Sequence, residues 1–474
     1  MPRPVRGRDG AGGMPYIPPS ISFCRNGSPF MHNAARLQAA IELLAEIEAV
    51  PRPADGTASA YFRDRRFIGS KDRRAISDRV WGVLRRWAKL TWWLHWGAMR
   101  TGRDIKLTAR HRVLADLMIT DHLKADEDLI GLFTSDRHCP DRLSNSEMAI
   151  ARAIQGRPQW SKDMPPAVRF EVPDWIWSRF AGLYGEEAER ELSAMLDEAP
   201  VDLRVNTLKT DRATAAAALE AEGVRVEPTR LSPLGLRVRS GRVNLGGLKL
   251  FNDGLVEVQD EGSQLVALLT DARPGMAVVD FCAGAGGKTL GLAAAMANKG
   301  RLVACDVSEG RLERSAVRLK RAGAHNVTRR VLSSEQDKWV KRQARTYDRV
   351  LADAPCTGTG TWRRNPDARW RLTAEHLEDL KGRQASILQS AARLVKPGGR
   401  LVYATCSVLP EENRGQIDAF LAQHAETFRL KSVGEVWAEV IGSPTCPGDG
   451  ETLRLTPCRD DTDGFFVAVL ERTA

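Results

Sequence analysis

From about residue 255 to the C-terminus, short apolar runs ending in Asp or Gly alternate with helix-patterned stretches. No other feature of the chain limits its fold as much. Strands separated by helices pair through right-handed crossovers, which gives a parallel sheet with helices on both faces. The strands read as AVVDFC (277–282), RLVACD (301–306), VTRRVL (327–332), DRVLAD (348–353), RLVYAT (400–405) and GFFVAVLE (464–471). Ligands of such doubly wound sheets bind beyond the carboxyl ends of the strands, so the residues just after these runs are the ones expected to carry chemistry.

The first strand runs into Cys282-Ala283-Gly284-Ala285-Gly286-Gly287-Lys288-Thr289, which opens a helix rich in Ala and Leu. The glycines let the backbone turn tightly and approach a ligand that a Cβ would block. A nucleotide-like ligand suits this loop. The ending GGKT is close to a Walker A loop, but that spacing requires glycine at 282, where the chain has Cys282, and this disfavours an NTPase. The second strand ends in Asp306, about 20 residues past the glycines, where a carboxylate can accept hydrogen bonds from ribose hydroxyls. NAD and S-adenosylmethionine both satisfy these features.

Strand four ends in Asp353-Ala354-Pro355-Cys356 and strand five in Thr405-Cys406-Ser407. If the two strands are neighbours, both thiols rim one crevice beside the glycine loop. Cysteine is among the most buried residue types, so a strand-end thiol is usually packing, and that is the reading for Cys282 and Cys305. A pair beside a cofactor loop suggests a reaction instead. Cytosine C5 is a poor carbon nucleophile, and thiolate addition at C6 makes it enamine-like. A base must then remove the C5 proton, and a carboxyl group at the base edge can stabilise the adduct. Cys406, Cys356 and Asp353 offer these groups.

The rest of the chain is read from composition and periodicity. Lys+Arg exceed Asp+Glu by ten (70 against 60), which is a hint of a polyanionic partner. Eight cysteines occur without a C-x-x-C pair or a Cys/His cluster at zinc spacing, so no structural metal is expected and a reducing compartment is. No apolar run is long enough to span a bilayer; a soluble cytoplasmic protein is expected. Residues 1–30, rich in Gly, Pro and Arg, read as a disordered extension, and Met31, just before the first helix, is an alternative start. Residues 31–155 read as helices, with Trp81, Trp87, Trp92, Trp93 and Trp96 set among Arg79, Arg85, Arg86 and Lys89. These form either a core with a solvated cationic face or a basic platform for RNA phosphates. Residues 160–250 read as a small α+β unit and residues 251–474 as the doubly wound domain.

VVDFCAGAGGKTL, LVACDVS, VLADAPCTGTGTWRRNP, LVYATCSVLPEEN and DGFFVAVLE, in that order, resemble the NOL/NOP/Sun family of RNA cytosine-5 methyltransferases, in particular its bacterial Sun/Fmu, RsmB-like branch. The resemblance covers roughly residues 200–474. It implies an α/β chain: a Rossmann-like class I S-adenosylmethionine-dependent methyltransferase domain, preceded by an all-α NusB-like domain and a small α+β domain that holds RNA. It further implies that Cys282, Ala283, Gly284, Ala285, Gly286, Gly287 and Lys288 cradle S-adenosylmethionine, with Asp306 on its ribose and Asp353 reaching both the cofactor and the target base. Cys406 would attack C6, and Cys356 would help resolve the adduct. In DNA cytosine-5 methyltransferases the Pro-Cys cysteine attacks instead, but their Glu-Asn-Val motif is absent here.

Where the family often has an aspartate beside the adenine this chain has Ser334, with Glu335 and Asp337 as substitutes. The segment YFRDRRFIGSKDRRAISDRVWGVLRR is similar to the NusB-like RNA-binding domain, which favours the RNA reading of the Trp-rich helices. Arg204 and Asn206 in LRVNTLK, with Arg363 and Arg364 after the Pro-Cys loop, are candidates for phosphate contacts. The expected partner is RNA, most simply ribosomal RNA, with transfer RNA and a non-catalytic ribosome-assembly role as alternatives. Nothing in the sequence requires more than a monomer.

Overall fold

The computed structural model describes residues 31–473 apart from 242 and 449. The extension read over residues 1–30, with Cys24, lies outside the described residues. The chain divides into two compact units, with the division at Arg169 and Phe170.

The first unit is helical: Asn33–Ala49, Ala54–Asp64, Ser70–Arg85, Trp87–Thr101, Ala109–Ile119, Asn145–Ile154 and Pro166–Arg169. Apolar residues at three- and four-residue steps put Leu43, Leu44, Ile76, Val80, Leu90, Leu94, Val113 and Leu114 into one core, as an amphipathic pattern requires. Ser144 and Glu147 form a reciprocal capping box at the start of Asn145–Ile154, which fixes where that helix begins.

Here the basic platform expected around the tryptophans is corrected. Trp93 is buried, and Trp81, Trp87, Trp92 and Trp96 pack against the core. Asp116, fully buried, accepts from Arg79 Nη1 at 2.6 Å and from Arg86 Nη2 at 2.8 Å. Two of the cations read as a phosphate platform are thus taken up by a carboxylate that burial would otherwise make costly.

The second unit holds two sheets. In the smaller, β1 (Asp202–Val205), β2 (Val226–Pro228), β3 (Gly235–Val238) and β4 (Val256–Val258) lie in the order β2-β3-β1-β4, all antiparallel. The fourth strand falls beyond the boundary read at residue 250, because VEV is too short to announce itself and its register comes from pairing with β1. The helix Arg212–Ala221 is capped by Asp211.

The larger sheet comprises β5 (Ala277–Asp280), β6 (Arg301–Asp306), β7 (Val327–Val331), β8 (Tyr347–Asp353), β9 (Val395–Thr405), β10 (Phe428–Lys431), β11 (Leu453–Leu455) and β12 (Phe465–Arg472). Its order is β10-β12-β9-β8-β5-β6-β7, with β11 on β12. Strands β5 to β9 pair in parallel, while β12 runs antiparallel to β9 and β10 antiparallel to β12. Alternate residues feed cores on opposite faces: Val279, Val350 and Tyr403 on one, Val278, Leu351 and Val402 on the other. The strand order reverses between β5 and β8, so a crevice opens at their carboxyl ends. None of the described helices is long and apolar enough to cross a membrane.

Candidate active site

The glycine loop leaves β5 at this reversal. Gly286 has φ +82°, and a Cβ there would come within 2.9 Å of Ser315 Cβ, so both conformation and space demand glycine. Asp306, at the end of β6, accepts from Gly284 N at 2.8 Å and from Ser308 N at 2.7 Å. Its carboxylate therefore shapes the loop whatever else it binds. Thr289 Oγ1 donates to Asp280 Oδ2 at 2.7 Å, and the other oxygen of this buried carboxylate has no partner. Burial, with Asp353 adding to it, pushes the Asp280 carboxyl up to about 7.

These features fit S-adenosylmethionine. An added Cβ at Gly284 would meet nothing within 4 Å, so the loop borders open space, and a buried carboxylate oxygen beside it lacks a donor. The ligand is zwitterionic and carries ribose hydroxyls, which supplies donors of the required kind. Cys282 and Cys305 read as packing thiols, and burial first, then neighbouring carboxylates, pushes both well above the ordinary thiol range.

Strand β8 delivers the other wall. Asp353 pairs in register with Ala404 of β9, and the two strands stay together past their ends through Ala354 N to Ala404 O at 2.8 Å and Gly360 N to Cys406 O at 2.9 Å. The expected adjacency therefore holds, and the Sγ atoms of Cys356 and Cys406 lie 3.4 Å apart. The hydrogen bond to Cys406, then burial, pushes the Cys356 thiol well above its ordinary range.

Lys288 Nζ lies 2.6 Å from Asp353 Oδ2, so the last residue of the glycine loop meets the end of β8. Burial works to strip the lysine of its proton. Asp353, with help from Cys406, outweighs it and holds the ammonium above the usual range.

A buried network positions the thiol loops. Glu412 Oε1 accepts from Thr357 N at 2.8 Å and from Gln384 Nε2 at 2.9 Å, and Glu412 Oε2 accepts from Thr357 Oγ1. Gln384 also donates to Pro355 O at 3.0 Å. Ser407 Oγ stands 3.2 Å from Thr357 Oγ1 and 3.0 Å from Thr359 Oγ1, and Asn413 Nδ2 donates to Ser407 O at 2.8 Å. One carboxylate and one amide thus tie the Cys356 loop to the Cys406 loop. A further tie is Gly464 N to Gly360 O at 2.8 Å, an approach so close that a Cβ on Gly360 would meet Gly464 O at 2.2 Å. Sequence reasoning missed Glu412, Asn413 and Gln384. The signal available for Glu412 and Asn413 was the polar run EEN a few residues past Cys406; Gln384 lies inside the helix Ala374–Leu394 and has no local signal.

The four residues expected to meet phosphate are occupied otherwise. Arg204 is buried, donating from Nη1 to Gly287 O at 2.8 Å and to Gln259; burial pulls its guanidinium down to about 10. Asn206, also buried, bridges Gly254 O and Ala322 O, each at 2.8 Å. Both join the small sheet to the glycine-loop half of the larger one. Arg363 is buried 3.6 Å from both Asp461 and Asp463. Arg364 pairs with Asp463 at 2.5 Å and Asp260 at 3.0 Å. All four are thus engaged inside the fold, Arg204 and Asn206 with backbone carbonyls and Arg363 and Arg364 with the acidic turn, where removing either partner would leave a charge uncompensated.

Near the expected adenine position, Ser334 is half-buried and its Oγ accepts from Gln336 N at 3.2 Å. Asp337, named with Glu335 as a substitute for the missing aspartate, is engaged in its own turn. Its carboxylate caps Trp339 N at 2.7 Å and accepts from Ser333 N and Oγ, and these bonds pull it down to about 2.

Comparison with known proteins places this geometry. The family described as 16S rRNA methyltransferase RsmB/F matches residues 267–471, and the RsmF/B-like ferredoxin-like domain matches residues 172–244. The ribosomal RNA small subunit methyltransferase B of Salmonella typhi is 30% identical over 412 residues, covering 85% of this chain and 91% of that protein. The probable ribosomal RNA small subunit methyltransferase B of Synechocystis sp. is 34% identical over 306 residues, 64% of this chain and 67% of that one. Among solved structures, PH0851 superposes with a TM-score of 0.71 at 28% identity, covering 92% of this chain and 98% of its own.

Proposed function

This chain belongs to the 16S rRNA methyltransferase RsmB/F family, the bacterial RsmB-like branch of the NOL/NOP/Sun proteins, and is an S-adenosylmethionine-dependent methyltransferase; we propose that it methylates C5 of a cytosine in ribosomal RNA through a covalent cysteine adduct. The observation that carries this reading is the thiol pair, 3.4 Å apart, at the strand ends facing the cofactor loop.

The residues that would hold the cofactor are the loop Cys282 to Lys288, Asp306 at the ribose and Asp353 between cofactor and base, with Ser334 toward the adenine. Bound there, S-adenosylmethionine supplies an electrophilic methyl group. Cys406, as thiolate, forms a bond to C6 and makes C5 nucleophilic. The Lys288 ammonium and the Asp353 carboxylate, ion-paired at 2.6 Å, fix charge at the edge of the crevice where the developing adduct needs it.

Release follows from the same pair. The C5 proton leaves to a base, the electron pair of that C–H bond re-forms the C5–C6 double bond, and the C6–S bond breaks to return the Cys406 thiolate. The foremost cause that keeps Cys356 protonated is its hydrogen bond to Cys406. Acting as that base, Cys356, 3.4 Å from Cys406, first passes its own proton to solvent and then accepts the C5 proton as a thiolate.

The test is incubation of the protein with unmodified ribosomal RNA and, in a parallel reaction, unmodified transfer RNA, each with methyl-labelled cofactor, followed by nucleoside mass spectrometry. Label in 5-methylcytidine supports the reading. Label in another nucleoside, or only in transfer RNA, contradicts it, and no transfer at all favours a non-catalytic assembly role.

A further inference from the structure

Arg204 and Glu257 of the small sheet, opposite each other on β1 and β4, reach the glycine loop by two routes. Arg204, buried, donates from Nη1 to Gly287 O at 2.8 Å. Glu257, also buried, pairs with Arg318 Nη2 at 3.2 Å and accepts from Arg321 Nη2 at 2.6 Å. The Arg318 guanidinium held in this way donates from Nη1 to Ala285 O at 2.8 Å. Two carbonyls of the loop are therefore bound by guanidinium groups that the small sheet supplies or orients. A Cβ on Gly291 would come within 3.1 Å of Arg204 Nη1; a helix-interior glycine, a poor helix former, leaves the room that this arginine takes.

Gly284 and Gly286 stand at φ +54° and +82°, and residues without a Cβ have many backbone conformations open to them. Ordering such a loop at the moment of binding costs affinity, and ordering it beforehand recovers that affinity. A bond from a guanidinium to a carbonyl is charge-assisted and stronger than a neutral one, so two of them suffice to favour one loop shape. We propose that Arg204 and Arg318, the second oriented by Glu257, are positioning residues that pre-order the glycine loop for S-adenosylmethionine, which makes the small sheet part of the cofactor site. The proposal rests on the reading of Cys282 to Lys288 as the cofactor cradle and deepens it. Arginines that merely dock one sheet on the other would affect stability alone, whereas pre-ordering affects cofactor affinity as well.

The experiment is isothermal titration calorimetry of the full chain with S-adenosylmethionine, beside melting temperatures measured without ligand. Arg204→Met and Arg318→Met are each expected to raise Kd about tenfold, the weight of one hydrogen bond from a charged donor. Arg204→Lys and Arg318→Lys keep a cationic donor and are expected to recover part of that loss. Val226→Ala, in the core of the small sheet on β2, is expected to lower the melting temperature and keep the wild-type Kd. In methyl transfer the Met variants are expected to raise KM for the cofactor and leave KM for RNA unchanged. Arg318 is only half-buried, so Arg318→Met decides the matter even where the buried Arg204→Met fails to fold. A wild-type Kd in Arg318→Met overturns the proposal, as does a Kd in Val226→Ala raised as far as in the Met variants. Absence of S-adenosylmethionine binding by the wild type contradicts the reading of the loop and the proposal with it, whereas wild-type binding that Arg318→Met leaves intact overturns the proposal alone.

Discussion

Glu412 and Thr357 are joined twice in a buried site, through the Thr357 amide at 2.8 Å and through its hydroxyl. This pair of hydrogen bonds from loop to carboxylate sets the position of Cys356, the preceding residue, against Cys406. Removing the carboxylate leaves buried donors of Thr357 and Gln384 unmet, at about 1–3 kcal/mol for each. Glu412→Ala is therefore expected to lower the denaturant midpoint and to reduce kcat far more than it raises KM. Glu412→Gln, which keeps an acceptor oxygen, is expected to recover part of both. Equal midpoints for wild type and Glu412→Ala would contradict this role.

Asp280 gives a pH signature. Burial raises its carboxyl from the usual 3.8 to about 7, so across that window the unfolded chain has lost a proton that the folded chain keeps. Stability contributed by this group is present at low pH, falls as pH rises from about 4 to 7 and is gone above that. Asp280→Asn retains an acceptor for Thr289 Oγ1 and cannot ionise. The difference in unfolding free energy between variant and wild type is expected to shift in the variant's favour across that range, and a difference independent of pH would refute the assignment.

Asp116 behaves oppositely. Burial would raise its carboxyl, but Arg86 and Arg79 outweigh it and hold the group below the usual carboxylate range. Its contribution is present above the ordinary carboxylate pKa and is lost as pH falls through the depressed value. Asp116→Asn leaves two arginines without their shared counter-charge and is expected to destabilise the helical unit by about 3–5 kcal/mol. Tryptophan fluorescence during urea unfolding checks this, and wild-type stability in the variant would count against it.

Gly286 connects backbone to cofactor. Its φ of +82°, and the mere 2.9 Å that would separate an added Cβ from Ser315 Cβ, make alanine there cost more than about 1 kcal/mol. Gly286→Ala is expected to lower the melting temperature and to lose most of the further rise that S-adenosylmethionine gives the wild type. An undiminished ligand-induced rise would show that the loop does not form the cofactor site.

Much of the catalytic half was legible because its signals are local. β5, β6, β8 and the second half of β9 are apolar runs with a polar stop, whereas β7, VTRRV, is a largely exposed edge strand, and the glycines stand where a helix must begin close to a ligand. Adjacency of Cys356 and Cys406 needed only that β8 and β9 be neighbours. The illegible parts depend on distant partners. VEV at β4, FRLK at β10 and LRL at β11 are three or four residues each and become strands by pairing with β1 or β12. Arg204, Asn206, Arg363 and Arg364 read as surface cations and amides because nothing local reveals the carbonyls of Gly287 and Ala322 or the acidic turn at Asp461 and Asp463. The same holds for Arg79 and Arg86, whose partner Asp116 lies at least 30 residues away.

The roles of the two thiols are decided by comparing wild type, Cys356→Ala and Cys406→Ala after incubation with unmodified ribosomal RNA and S-adenosylmethionine, on a denaturing gel that retains covalent protein–RNA adducts. If Cys406 attacks and Cys356 releases, Cys356→Ala accumulates adduct and Cys406→Ala forms none. Accumulation in Cys406→Ala would reverse the two roles, and absence of adduct from every variant would contradict the covalent mechanism itself.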